Sequence, residues 1–134
     1  MSVTHHTVPG VLDPGVPHVS VATGSRTLYL AGCVGSMPDG APAGDTLRAQ
    51  VAQALRNVST VLASQGASWS NIAKTTLYVV DHTPEKMVDI FGGVEDYIAG
   101  GGDMTGFAAS TLVGVSALFE SWALIEIDVT AVVD

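Results

Sequence analysis

Apolar residues recur at three- and four-residue steps in two stretches of the chain, and five other stretches are short, apolar and β-branched. In the first stretch Leu47, Val51, Ala54, Leu55, Val58, Val61 and Leu62 fall on one stripe, which predicts an amphipathic helix. Asp45 opens it as the expected N-cap and Gly66 ends it. The second helix carries Met87, Ile90, Phe91, Val94 and Ile98, starts at Thr83-Pro84 and stops at Gly100–Gly102. Strands are expected over Val19–Thr23, Thr27–Val34, Ile72–Val80, Phe107–Val115 and Trp122–Val132, the first two joined as a hairpin at Gly24-Ser25. Pro9, Pro14 and Pro17, with Gly10 and Gly15, make the N-terminal stretch an extended lead-in.

Alternation in the last strand sends Ala123, Ile125, Ile127, Val129 and Ala131 to one face, and Trp122, Leu124, Glu126, Asp128 and Thr130 to the other. The order β-β-α-β-α-β-β describes a single α+β domain over residues 1–134, a sheet with both helices on one face. The second face carries polar groups, yet it belongs to a strand too apolar for open water, and the chain offers no third helix to cover it. Self-association is the simplest cover.

Charge then narrows the partners. Thirteen acidic against five basic residues leave a formal charge of −8. Nucleic-acid binding depends on Lys and Arg neutralising phosphates, and Arg26, Arg48, Arg56, Lys74 and Lys86 are scattered. Neither a nucleic acid nor an anionic membrane is an expected partner. No apolar run approaches the roughly 20 residues of a bilayer span. Cys33 is the single cysteine, so no internal disulfide forms, and the opening residues lack a secretory pattern; the expected location is cytoplasmic. His5, His6, His18 and His82 show no metal-ligand spacing, so no metal site is expected. Gly100–Gly102 lacks the Lys-Ser/Thr of a phosphate loop and reads as a helix stop.

A few residues carry candidate chemistry. Glu126 can position water or act as general acid or base, or it is a carboxylate satisfied by backbone N–H groups at an interface. His18 is a proton shuttle or a surface histidine after Pro17. Cys33 lacks the neighbouring cation that a thiolate needs, which favours an inert thiol. Ser110 has no His-Asp partner at a recognisable spacing and is a hydrogen-bond donor rather than a nucleophile. Phe91 and Tyr97 are most simply core.

Several segments together resemble the Rid family, also called YjgF or L-PSP. They are Gly44-Asp45 leading to Gln50, Ala54, Leu55 and Asn57; Gly66 followed by Ile72–Asp81; Ser110–Val115; and Ala123–Val129. The resemblance implies a chorismate-mutase-like fold, a homotrimer with inward-facing sheets, and small-molecule clefts between subunits. It also implies cofactor-independent hydrolysis of enamines and imines. Deaminating members place an arginine just before the Ser-Thr pair, where it grips the substrate carboxylate; here that position is Ala109. The usual helix asparagine aligns with Phe91, the first-strand tyrosine with His18, and Ser-Gly-Gln with Ala31-Gly32-Cys33. Glu126 is retained. The resemblance thus implies catalytic roles for Glu126 and His18, and a substrate surface of Cys33, Phe91, Ala109, Ser110 and Thr111. An alanine cannot replace the paired hydrogen bonds of a guanidinium, so a less anionic substrate is expected. The alternative is a non-catalytic trimer that binds a metabolite or docks on a partner.

Overall fold

In the computed structural model, which describes residues 2–134, the last strand is the spine of the sheet. The elements are β1 (Ser2–His6), β2 (Val19–Thr23), β3 (Arg26–Tyr29), β4 (Cys33–Val34), α1 (Leu47–Ser64), β5 (Ile72–Val80), α2 (Met87–Ala99), β6 (Ala109–Val115) and β7 (Ile125–Val133). The main sheet runs β3-β7-β5-β6, and β4 also pairs with β7. β7 is antiparallel to β3, β4 and β5, while α2 carries the chain back so that β6 runs parallel to β5. Ile125, Ile127, Val129, Ala131 and Val133 of β7 are buried in the core, and the residues between them are half-buried on the opposite face. The expected α+β arrangement of one sheet and one helix layer is present. Among the described residues no helix is long and apolar enough to cross a membrane.

Three local expectations are corrected. The N-cap of α1 is Thr46, not Asp45: its hydroxyl accepts a hydrogen bond from the Ala49 amide at 3.2 Å, three residues on. Val19–Thr23 and the next strand do not form a hairpin. β2 pairs instead with β1, from Ser2↔Thr23 to His6↔Val19, while β3 joins β7. Gly24 is a glycine of close approach, since a Cβ there would lie 2.6 Å from the Val133 carbonyl oxygen. Finally, Thr27–Val34 is broken into β3 and β4. The Leu30 amide still reaches the Val129 carbonyl at 3.1 Å, but Ala31 and Gly32 leave the ladder.

The helices pack closely because α2 contains Gly92-Gly93. A Cβ at Gly93 would lie 2.6 Å from Val51 Cβ and 2.7 Å from the Arg48 carbonyl oxygen. Beside this contact the Arg48 guanidinium donates to both Asp96 oxygens, at 2.8 and 2.9 Å. That hydrogen-bonded guanidinium holds the Asp96 carboxyl below the ordinary carboxylate range. Buried Gln50 ties α1 to the approach to β7. Its Nε2 donates to the Gly44 and Trp122 carbonyls, at 3.0 and 3.2 Å, and its Oε1 accepts from the Leu124 amide at 2.8 Å.

Candidate functional site

The candidate residues fall into two separate groups on the sheet, with His18 apart from both. The first group lies along β6, the edge strand next to β5. Phe91, Ser110 and Thr111 line one apolar cavity of about 340 Å³, together with Leu77, Leu112 and Val94. Ser110 and Leu112 share the face of Thr75 and Leu77, so the cavity lies between α2 and the edge of the sheet, and Thr111, whose side chain belongs to the other face, borders it only at the strand edge. Phe91 is 50% exposed on α2, which is a correction to its reading as simple core. Pro14, Gly15 and Val16 of the lead-in complete the wall.

Hydroxyl chemistry at this edge is already committed. Ser110 Oγ donates to the Ala108 carbonyl at 2.9 Å and also bonds Thr75 Oγ1. With its one proton on Ala108, Ser110 accepts from Thr75, so it is a positioned acceptor rather than a nucleophile. Ala109 pairs in register with Lys74, and its amide donates to Ser20 Oγ at 2.9 Å. Lys74 Nζ donates to Thr111 Oγ1 at 2.8 Å. The sequence reading passed over this lysine, although alternation along β5 places it with Thr76 and Tyr78 on the face away from the helices.

The second group lies where β7 meets β4. Glu126 pairs with Val34 on one side and Tyr78 on the other, on the face away from the core. Its side chain lies across Gly32: a Cβ there would stand 2.5 Å from Glu126 Cδ. Among the described residues the half-buried carboxylate has no hydrogen-bond or ion-pair partner within the chain. Cys33 is opposite Ile127 and packs against the core, lining a hollow of about 490 Å³ with Met37 and Asn57. Burial pushes its thiol pKa up, and Glu126 and Asp128 push it further. The thiol stays protonated at neutral pH.

His18 belongs to the lead-in. Its Nδ1 accepts the Val8 amide at 2.9 Å, so Nδ1 carries no proton, and Nε2 donates to the Leu12 carbonyl at 2.9 Å. Both nitrogens of this neutral ring are engaged in holding residues 8–18 in a loop. Among the described residues no cluster of His, Cys, Asp or Glu has the composition of a metal site.

A sheet backed by two helices, with an apolar edge cavity and a separate free carboxylate, defines a small-molecule domain of the α+β class. The family model "Endoribonuclease L-PSP" matches residues 11–133. The chain belongs to this family, which is the Rid or YjgF family. Among solved structures, the Yersinia pestis Rid-family protein YyfB is similar at 29% identity with a TM-score of 0.86, over 99% of this chain and 100% of that one. YyfA from the same organism is 28% identical with a TM-score of 0.66, over 98% and 100%. RidA from an Antarctic Psychrobacter, 17% identical with a TM-score of 0.67 over 99% of each chain, shares the fold. Among curated proteins no sequence matches significantly.

Proposed function

We propose that this chain forms a homotrimer in which the β6-edge cavity of one copy meets the Glu126 group of the next, and that this composite cleft processes a small molecule by proton transfer at Glu126. The observation that carries the reading is the Glu126 carboxylate, half-buried on the sheet face away from the helices and without a partner in its own chain. The cavity and Glu126 lie on opposite faces of one sheet, so they meet only between copies in a head-to-tail contact, which gives a ring when its rotation closes. With His18 and the Cys33 thiol already committed, one carboxylate remains to take and return a proton. That suffices for a tautomerisation, or for activating one water in a hydrolysis. Light scattering on a gel-filtered sample is expected to give about three times the 13.7 kDa subunit mass. A monodisperse monomer at micromolar concentration would refute the composite cleft.

Binding energy in such a cleft comes mainly from apolar contact. Phe91, Leu77, Leu112 and Val94 dominate the cavity, and Ala109 offers no fork for a carboxylate. Turnover of 2-aminoacrylate is expected to be roughly a thousandfold below that of arginine-bearing relatives, because a lost charged pair costs several kcal/mol at the transition state. Comparable turnover in a coupled ammonia assay would contradict this. The word endoribonuclease in the family's name is not carried over: five scattered cations and a charge of −8 supply little to neutralise phosphates. A non-catalytic metabolite-binding trimer is the second reading, favoured by the engaged His18 ring and the protonated Cys33 thiol.

A further inference from the structure

We infer that His18 is a positioning residue for the β6-edge cavity: it clasps the lead-in so that Pro14, Gly15 and Val16 stand as a fixed wall, and that wall restricts the cavity to compact apolar ligands. The inference deepens the reading that this cavity takes the ligand, and it rests on that reading. Two observations meet here. The His18 ring bonds the lead-in at two points, its Nδ1 accepting the Val8 amide and its Nε2 donating to the Leu12 carbonyl, each at 2.9 Å. The segment between Leu12 and His18 supplies one wall of a cavity of about 340 Å³, near the small end for ligand sites.

The clasp matters because burial does little to order this loop. Val8, Val11 and Leu12 are exposed, Leu12 by 89%, so apolar contact offsets little of the entropy that one fixed backbone shape costs. Hydrogen bonds close the loop instead. The His18 amide donates to the His6 carbonyl at 2.9 Å, which joins the base of the loop to the β1–β2 pair. Within the loop, Asp13 Oδ1 accepts the Gly15 amide at 2.8 Å, Pro14 has its φ set by its own ring, and Gly15 takes a φ of +81°, where glycine is unstrained. Val16 is the half-buried member of this wall, and Pro14 and Gly15 are exposed. Elsewhere in the wall Leu77, Met87, Val94 and Leu112 pack against the core. The lead-in is therefore the part of the wall that gives way when the clasp is released, and a ligand too long for the closed space meets it.

The test is a titration of the intact protein with indole and with N-phenyl-1-naphthylamine, two uncharged aromatic molecules, one compact and one extended, while light scattering monitors the assembly. A phenylalanine ring has neither the acceptor nor the donor of the imidazole. His18→Phe is expected to speed exchange of the Val8 amide, followed by NMR, and to shift the ratio of the two dissociation constants on the order of tenfold toward the extended probe. The compact probe loses apolar contact with the wall, and the extended one gains room. Asp13→Ala loosens the same wall without touching the His18 ring; it is expected to move the ratio in the same direction with the Val8 amide still protected, and it decides the question if His18→Phe does not fold. A Val8 amide no less protected in His18→Phe, or a ratio that neither variant moves, overturns the role of His18 and leaves the cavity reading standing. Phe91→Ala is expected to weaken both probes. If the wild type binds neither probe, or if Phe91→Ala affects neither, the cavity reading falls and the role of His18 falls with it.

Discussion

Replacing Gly93 by alanine is expected to destabilise the protein by about 2 kcal/mol, although alanine is the better helix former. The propensity gain in a helix interior is roughly 1 kcal/mol. Against it stands the new methyl, 2.6 Å from Val51 Cβ and 2.7 Å from the Arg48 carbonyl oxygen. A backbone oxygen in the first turn of α1 cannot rotate away, so α2 must move off α1, and overpacking of that kind costs about 1–3 kcal/mol or more. Packing wins. Gly92→Ala provides the contrast, because its methyl meets the Arg48 guanidinium at 3.0 Å, the far end of a flexible side chain. That variant is expected to be near neutral. Urea unfolding at one fixed protein concentration measures both, since association makes stability concentration-dependent. Equal stability of Gly93→Ala and wild type would show that the helices are not held apart by this contact. The consequence reaches the site, because α2 also carries Phe91 and Val94 into the β6-edge cavity.

How far the sequence revealed this architecture depended on whether a signal was local. Both helical stripes and the alternation in β7 are periodicities of one segment, and each is visible without knowing what packs on it. Ile72–Val80 is a strand with the predicted bounds, its Thr75, Thr76 and Tyr78 favouring the extended state. Gly24 was misread because a glycine looks the same whether it supplies a turn or makes room for a neighbouring strand. Only the position of the Val133 carbonyl decides between them. The same ambiguity applies to Gly93, whose reason for being glycine lies on another helix. For β1, the proline-rich lead-in dominated the reading, and the strand's partner stands about fifteen residues away.

The candidate residues divide in the same way. Alternation alone placed Glu126 on the face opposite Ile125 and Ile127, which is where it lies. The engagement of His18 was not legible, because its partners are backbone atoms of Val8 and Leu12. Lys74 was passed over as one of five scattered cations. Its contact with Thr111 comes from a parallel pairing with β6, and parallel partners cannot be read from one strand's sequence. The substitution at Ala109 was plain in the sequence, but its setting, a small residue opposite a lysine, was not.

Glu126→Gln is expected to leave the fold and the assembled mass unchanged and to lower turnover by at least about a hundredfold, within the range for a lost general acid or base. Glutamine keeps the shape of the side chain over Gly32 and removes its charge and basicity. Since the wild-type carboxylate holds no partner in its own chain, no intramolecular bond is broken by the change. The direct readout is exchange of solvent deuterium into the carbon next to the carbonyl or imine of apolar ketones and imines, followed by proton NMR. Gly32→Ala approaches the same residue differently. Its methyl would stand 2.5 Å from Glu126 Cδ, so the carboxylate must swing away with its charge intact, and exchange is expected to fall without a change in the assembled mass. If Glu126→Gln instead unfolds or dissociates, Glu126 is an interface residue whose partner is on the neighbouring copy. If it exchanges deuterium at the wild-type rate, the proton is moved by another group, and the binding-only role of this carboxylate follows.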